Sequence, residues 1–404
     1  MKKISSKCLI ALIIISIFIF ITTPSFAQQA DPFEIEASNI VVMDYETGFI
    51  LYEKNATEAV APASLTKLMT MYVIFDALEN GEIYLDDKVA ISQKATELVP
   101  GASRVWAVPG SEVSVEELLI AVSVISANDA GIALAEKISG SEEAFVERMN
   151  ETAKELELKQ TNFLNSHGLD QDNHLMSARD VAKLSQRLIS DFPQAIEYSS
   201  MTSYTMSYPP HTTFPSTFRD LLVRHENLDG LKTGYTGNAG RCISVTSTVN
   251  GRRYIVVLMD VEGNTNRETI SNRDTLVEEI LNDFIAKKFQ IRNVLDANEA
   301  IESASFRSAK RGVYQVGVLE DLNLVVPREH NFLKPQIKID KNVSAPLEKG
   351  DVVGTVEYVV DGQTVIKDPI YVLEDVPRAN FLVRGFWGII DGIGNGVKWV
   401  TNIF

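Results

Sequence analysis

Ser64 and Lys67 are the first residues whose types and spacing suggest chemistry, because both interrupt a largely apolar stretch at 63–78. Pro62 fixes φ just ahead of that stretch, which is apolar nearly all round and is therefore predicted to be a buried helix. Positions i and i+3 share a helix face, so the hydroxyl and the amine are expected to meet. A serine beside a desolvated, neutral amine is an activated nucleophile. Taken alone, the pair is better explained as a helix cap followed by a lysine that reaches solvent.

Two further short motifs follow in order and change that balance. Ser126-Ala127-Asn128 lies at a predicted break between two helices, and Lys232-Thr233-Gly234 begins a predicted strand. Each motif is weak by itself. Together with Ser64 and Lys67, in this order, they match the S-x-x-K, S-x-N and K-T-G set of penicillin-binding proteins and class A β-lactamases.

Longer segments around these motifs narrow the resemblance. From about residue 37 to the C-terminus the chain resembles the serine-type D-alanyl-D-alanine carboxypeptidases, which are low-molecular-mass penicillin-binding proteins of the penicillin-binding protein 5 type. The segments that carry the resemblance are PASLTK at 62–67, SANDA at 126–130, FVERMN at 145–150, HGLD at 167–170 and DGLKTG at 229–234. The chain departs from the family in having Ala127 where glycine is more usual and Tyr235 where histidine or phenylalanine is common. Neither departure removes a reacting group, but both leave the substrate preference open.

The resemblance implies a catalytic role for four residues. It assigns Ser64 as the nucleophile that attacks the penultimate residue of a D-Ala-D-Ala peptide, and Lys67 as the base that takes its proton. Ser126 relays a proton towards the leaving amine, while Asn128 binds the peptide amide or holds Lys67. An acyl-enzyme then forms and is hydrolysed by water.

The resemblance also implies a substrate-binding group on the K-T-G strand. Lys232 adds positive charge to the cleft, Thr233 binds the terminal carboxylate, and Gly234 lets the strand approach the substrate. The backbone N–H groups of Ser64 and Tyr235 would form the oxyanion hole. A cation for the carboxylate is still needed, and Arg267 is the candidate, with Arg241 as the alternative.

The expected partners follow from the same resemblance and from charge. The substrate is a peptidoglycan pentapeptide ending in D-Ala-D-Ala, and β-lactam antibiotics are expected to acylate Ser64 as covalent inhibitors. No cofactor and no metal are expected, since the five histidines show no metal-binding spacing. The chain has a net charge of −16, so nucleic acid is an unsuitable partner.

Two rival functions stay open on sequence grounds. A β-lactamase needs a deacylating glutamate between Asn128 and Lys232, and neither Glu157 nor Glu197 has the expected asparagine neighbourhood. A non-catalytic cell-wall-binding protein belongs to another class, and it has no need of Ser64, Lys67 and Lys232 together. The intact set therefore favours the carboxypeptidase.

Composition and pattern predict four segments. Residues 1–27 read as a signal peptide, since three lysines precede a long apolar run and Ala27 offers a cleavage site. Residues 33–292 are predicted to form an α+β, β-lactamase/transpeptidase-like domain, with an antiparallel sheet and a helical subdomain, and residues 293–377 a small all-β domain. Residues 378–404 are predicted to form an amphipathic helix in the lipid interface, with docking on the β-domain as the alternative. The protein is thus expected to be exported to the outer face of the cytoplasmic membrane.

Cys242 is the one cysteine outside the predicted signal peptide, because Cys8 lies within it. With no second cysteine, no intramolecular disulfide is expected in the mature chain. Its apolar neighbours predict a buried thiol.

Overall fold

The computed structural model describes residues 32–33, 35–208, 211–310, 312–329, 334–360 and 363–379. The predicted signal peptide and all but the first two residues of the predicted terminal helix lie outside the described residues. Within the described ranges, no helix is long and apolar enough to cross a membrane. The described residues from Ile35 onward form one compact unit.

An antiparallel sheet of five strands, in the order β2-β1-β9-β8-β7, forms the centre of the catalytic part. Two hairpins belong to it: one pairs Ala37–Asp44 with Ile50–Lys54, and the other pairs Gly240–Val249 with Arg252–Val261 and turns at Asn250-Gly251, a strong type I′ signal. In chain order the strands of this part are β1 (Ala37–Asp44), β2 (Ile50–Lys54), β3 (Lys88–Ala90), β4 (Glu112–Ser114), β5 (Ser203–Thr205), β6 (Thr213–Pro215), β7 (Leu228–Thr236), β8 (Gly240–Val249) and β9 (Arg252–Val261).

The helices from Lys67–Glu79 to Ala195–Ser199 share one apolar core with this sheet, and the helix Asn266–Glu279 packs against β8 and β9. Four of them begin at a serine, Ser92, Ser114, Ser141 or Ser177, whose side chain accepts the N–H of the residue three positions on. The helix Asn266–Glu279 continues directly into a π-helical section, Ile280–Ile285. The helices are Lys67–Glu79, Gln93–Thr96, Val115–Val124, Asn128–Ser139, Glu142–Glu155, Ala178–Asp191, Ala195–Ser199, Arg219–Arg224, Asn266–Glu279 and Ala286–Lys288.

The helix that follows Ser64 is buried over most of its length, as predicted. Ten of its thirteen residues are buried, including Lys67. The α-helix begins only at Lys67, however, and Ser64 lies in a 3₁₀ turn, Ala63–Thr66. In a 3₁₀ turn side chains three residues apart are eclipsed, so the tighter turn brings Ser64 directly over Lys67.

A separate all-β region follows the catalytic part. Five strands form a sheet in the order β11-β12-β16-β15-β14, and β10 pairs with β13. Its own apolar core is built around Tyr314 and Tyr358, and Phe49 from the β1–β2 connection packs into it. The strands are β10 (Phe289–Leu295), β11 (Glu302–Ala304), β12 (Tyr314–Gly317), β13 (Leu322–Pro327), β14 (Gln336–Ile339), β15 (Val352–Val360) and β16 (Gln363–Val372).

Candidate active site

A cleft of about 630 Å³ lies along the free edge of β7. The 3₁₀ turn bearing Ser64 forms one side, and the loop 99–103 forms the opposite wall. The three sequence motifs, far apart in the chain, all supply residues to it. Those that line it are Ser64, Ser126, Asn128, Thr233, Gly234 and Tyr235.

Lys67 lies directly beneath Ser64 and is fully buried. Its Nζ lies 3.1 Å from Ser64 Oγ, 2.7 Å from Asn128 Oδ1 and 2.5 Å from the carbonyl oxygen of His167. Burial holds the pKa of Lys67 well below its ordinary value, and the nearby Lys232 lowers it further, while Asp129 opposes the shift. A neutral amine donates two hydrogen bonds, to the Asn128 and His167 oxygens, and its lone pair then faces the Ser64 hydroxyl.

Ser126 is held in an uncommon backbone conformation at the break between two helices. Its φ is 61°, in the left-handed region that serine rarely adopts. Its Oγ is buried and has no hydrogen-bond partner among the described residues. Asn128, two residues on, opens the next helix and places its amide oxygen on Lys67. The turn therefore presents a hydroxyl and an amide to the cleft beside the amine.

Lys232 and Thr233 are two further polar residues of the site, and both lie on β7. Lys232 is fully buried, and its Nζ donates to the carbonyl of Thr233 at 3.1 Å. Burial lowers the pKa of Lys232 to about 7. The Thr233 hydroxyl donates to Thr217 Oγ1 at 2.7 Å, and both threonines line the cleft.

Two glycines permit the close contacts that hold the Ser64 turn. A Cβ on Gly234 would lie 3.1 Å from the Ser64 backbone nitrogen, so β7 runs directly beside the nucleophile. Gly168 has φ +84°, and a Cβ there would lie 1.9 Å from the Ala63 carbonyl oxygen. Any other residue at Gly168 would displace the turn.

Comparison with known proteins shows the family to which the chain belongs. Residues 25–263 match the family described as D-alanyl-D-alanine carboxypeptidase, and residues 289–378 match the C-terminal domain of penicillin-binding protein 5. The chain belongs to the D-alanyl-D-alanine carboxypeptidase family. The expected α+β catalytic domain followed by an all-β domain is confirmed, as are the carboxypeptidase function and penicillin binding.

Individual relatives are similar to this chain in sequence or structure over most of its length. The D-alanyl-D-alanine carboxypeptidase DacF of Bacillus subtilis is 33% identical over 390 residues, which cover 93% of this chain and 96% of that one. The crystal structure of penicillin-binding protein 5 from Haemophilus influenzae has a TM-score of 0.74 at 33% identity, covering 86% of this chain and 99% of that one. Penicillin-binding protein D2 of Listeria monocytogenes, solved in a cefotaxime-bound form, has a TM-score of 0.55 at 32% identity, covering 61% of this chain and 98% of that one.

Arg241, Arg267 and Arg273 differ in their positions relative to the cleft. Arg267 is exposed in the first turn of the helix Asn266–Glu279 and is not among the residues that line the cleft. Ile270, one helical turn after Arg267, does line the cleft. Arg241, the alternative, lines the cleft, and its guanidinium carbon lies 3.8 Å from the centroid of the Tyr235 ring. Arg273 also lines the cleft, but its guanidinium donates to Asp274.

Sequence reasoning missed the residues that hold the far wall of the cleft. The buried Asp129 carboxylate accepts the backbone N–H groups of Val105 and Trp106, at 3.0 and 3.2 Å. The Asn128 N–H donates to the carbonyl of Ser103, which lines the cleft. A buried carboxylate directly after S-x-N was the available signal, because such a group needs donors. Among the described residues, no cluster of three or more histidine, cysteine or acidic side chains could hold a metal ion.

His167 and His174 lie beside the turn that carries Ser64. His174 Nε2 lies 2.8 Å from Thr66 Oγ1, and its Nδ1 accepts the Leu164 N–H at 3.0 Å. Burial lowers the pKa of His174 to about 4, and that of His167 to about 3. Both rings are therefore neutral at pH 7 and serve as hydrogen-bonding groups.

Proposed function

We propose that the protein is a serine-type D-alanyl-D-alanine carboxypeptidase in which Ser64 forms the acyl-enzyme and Lys67 is the general base. Lys67 removes the hydroxyl proton while Ser64 Oγ bonds to the carbonyl carbon of the penultimate D-alanine. The observation that carries this assignment is the buried Lys67 amine, which lies 3.1 Å from Ser64 Oγ. The oxygens of Asn128 and His167 accept its hydrogens. Because burial lowers the pKa of Lys67, its amine is a more available base than that of an exposed lysine.

The remaining motif residues complete the first half of the reaction. The N–H groups of Ser64 and Tyr235 stabilise the developing oxyanion, an effect of about 3 kcal/mol for each donor. The carbon–nitrogen bond then breaks, and the departing amine receives the proton from Lys67 through the Ser126 hydroxyl. The unpartnered Ser126 Oγ supports this relay, since it is free to accept and donate in turn. Water hydrolyses the acyl-enzyme and restores Ser64.

The substrate class is a peptidoglycan stem peptide ending in D-Ala-D-Ala. The hydroxyl of Thr233, which lines the cleft, suits the terminal carboxylate of such a peptide, and the neighbouring buried Lys232 adds positive charge when its amine is protonated. Because the carboxylate and the scissile bond lie one residue apart, an anchor along β7 places that bond over Ser64. β-Lactams acylate the same oxygen.

Release of free D-alanine from an N-acylated D-Ala-D-Ala peptide tests the assignment. The wild type is expected to release it, and Ser64→Ala to release none while keeping its thermal unfolding temperature. Lys67→Ala should lower kcat/KM by at least about tenfold, which corresponds to about 1.4 kcal/mol of barrier. The exposed Lys159 supplies the control, Lys159→Ala, with wild-type turnover. Release by Ser64→Ala would refute the assignment.

We also propose that the protein acts outside the cytoplasmic membrane, held at its surface by residues 378–404. A substrate found in the cell wall and the predicted signal at 1–27 support export. Truncation after Ala379 keeps the backbone hydrogen bonds of Pro377 and Ala379 to Lys310 and Ser308. The truncated protein should stay at the bottom of a lipid flotation gradient while the full chain rises, with equal turnover of a soluble peptide. Equal flotation of both would contradict the anchor.

A further inference from the structure

The loop 165–169 supplies one of the hydrogen-bond acceptors of the Lys67 amine. The carbonyl oxygen of His167 lies 2.5 Å from Lys67 Nζ. The preceding carbonyl, that of Ser166, accepts the Thr70 hydroxyl at 2.6 Å. Because Lys67 and Thr70 lie three positions apart on one helix, the loop is bound to a single face of that helix. The position of the amine therefore depends on what holds this loop.

The buried side chain of Asn165 holds the loop through both ends of its amide. Asn165 is only 7% exposed. Its Oδ1 accepts the backbone N–H of Gly168 at 2.7 Å and that of His167 at 3.3 Å. Its Nδ2 donates to the carbonyl oxygen of Leu169 at 3.0 Å. Only an amide offers an acceptor at one end and a donor at the other, so no other side chain of this size satisfies all three backbone groups.

One peptide group joins Asn165 to Lys67. The Gly168 N–H, which Asn165 binds, and the His167 carbonyl, which Lys67 binds, belong to the same peptide. A trans peptide is planar, and its N–H and C=O point in opposite directions. The hydrogen bond at the N–H end therefore sets the direction of the carbonyl at the other end. Hydrogen bonds in series also polarise and strengthen one another.

This peptide needs such a restraint because a glycine follows the carbonyl. Gly168 has φ +84°, and a Cβ there would lie 1.9 Å from the Ala63 carbonyl oxygen. The close approach thus requires glycine, yet glycine populates positive and negative φ with similar ease. The residue that lets the loop approach the Ser64 turn also leaves the peptide free to rotate. The side chain of Asn165 removes that freedom.

We propose that Asn165 is a positioning residue for the general base: it fixes the His167–Gly168 peptide, and that peptide directs the lone pair of Lys67 at Ser64 Oγ. The inference rests on the proposed function, because it takes Lys67 to be the base. When two oxygens accept the hydrogens of the neutral amine, its lone pair faces the serine hydroxyl. A rotated peptide would release one hydrogen and let the lone pair turn away.

Two substitutions at Asn165 separate the parts of this argument. Asn165→Ala removes the acceptor for both N–H groups, so it should slow acylation of Ser64 by benzylpenicillin at least about tenfold, since a misplacement of about 1 Å can cost more than that. Asn165→Asp keeps an oxygen for the two N–H groups and loses only the donor to Leu169. At a pH where the Lys67 amine is neutral, it should recover most of the acylation rate.

Asn165→Asp also gives a readout that a merely structural role would not change, because it places a charge one peptide away from the amine. A carboxylate that accepts two N–H groups stays ionised. It favours protonated Lys67, so the acid limb of the acylation rate should move about one unit to higher pH. The other titratable groups around the amine and the loop, within the described part of the chain, are the same in every variant: Lys232, Asp129, Glu142, His167, Asp170 and His174.

Asn150 supplies the matched control. Its Oδ1 accepts the Phe163 N–H at 2.9 Å, and its Nδ2 donates to the Phe163 carbonyl at 2.8 Å. It therefore holds the chain two residues before Asn165 through the same kind of contacts, without a peptide in common with Lys67. Asn150→Ala should lower the thermal unfolding temperature and keep both the acylation rate and the position of the acid limb.

The experiment measures the rate of acylation by benzylpenicillin from pH 5 to pH 9, together with the thermal unfolding temperature, in the full chain and each variant. An unchanged rate in Asn165→Ala would overturn the inference, and so would equal losses in Asn165→Ala and Asn150→Ala. If Asn165→Ala does not fold, the acid limb of Asn165→Asp decides, and a limb at the wild-type position would refute the role. A wild type that is not acylated at Ser64 would instead overturn the proposed function.

Discussion

The hydrogen bonds of His174 predict that acid destabilises the nucleophile turn. Its Nδ1 accepts the Leu164 N–H, so Nε2 carries the ring hydrogen and donates to Thr66 Oγ1, which donates in turn to the Ala63 carbonyl. Every donor in this series of hydrogen bonds has an acceptor when the His174 ring is neutral. Protonation of Nδ1 would set two N–H groups against each other, so the folded protein resists it.

The size and the sign of the effect follow from the pKa. Burial lowers the pKa of His174 from 6.5 to about 4 in the folded protein. As the pH falls below 6.5, the unfolded chain binds a proton that the folded protein does not, so stability is lost on acidification down to about pH 4. At about 1.4 kcal/mol for each pH unit in that window, the free energy of unfolding falls by about 2 kcal/mol by pH 4.5.

Guanidinium chloride denaturation at about pH 7 and at about pH 4.5 measures this loss. His174→Gln offers an acceptor to Leu164 and a donor to Thr66 but does not titrate, so it should lose about 2 kcal/mol less than the wild type on acidification. His211→Asn, at an exposed position, should keep the wild-type pH dependence. If His174→Gln and the wild type lose equal stability, the neutral-ring account is wrong.

Two further substitutions test the packing around the site. Gly234→Ala should slow penicillin acylation at least about tenfold, because its Cβ would press on Ala63 and on the Ser64 backbone nitrogen and misplace the nucleophile. Gly237→Ala, whose Cβ meets nothing within 4 Å, is the matched control, and equal acylation rates in the two variants would contradict the argument. Arg252→Ala should lower the free energy of unfolding by about 3–5 kcal/mol, since it leaves the buried Asp44 carboxylate without its cation. If chemical denaturation shows that the free energy of unfolding falls by less than about 1 kcal/mol, Arg252 does not stabilise the fold through Asp44.

The sequence was sufficient to predict the residues of the site wherever residue type and spacing within one element decide the contact. Ser64 and Lys67 lie three positions apart, so any helical turn brings them together. The hairpin at Asn250-Gly251 was predictable because that dipeptide favours the required positive φ. The 3₁₀ form of the Ser64 turn was not predictable, since it depends on contacts with Gly168 and Gly234, both distant in sequence.

The arginines mark the limit of sequence reasoning at the site. Arg241 and Arg267 both follow the K-T-G strand, and spacing alone does not show which one faces the cleft. The answer depends on the β7–β8 register, which pairs Arg241 with Tyr235. The role of Asp129 was likewise hidden, because its partners Val105 and Trp106 belong to a loop without a regular pattern.

Mapping of a penicillin adduct tests most directly the central claim, that Ser64 is the nucleophile. The full chain is incubated with benzylpenicillin, its mass is measured intact, and the adduct is located by peptide mapping. One adduct, on the peptide that contains Ser64 and absent from Ser64→Ala, is the result that the structure predicts. An adduct on another residue, or an equal adduct in folded Ser64→Ala, would contradict it.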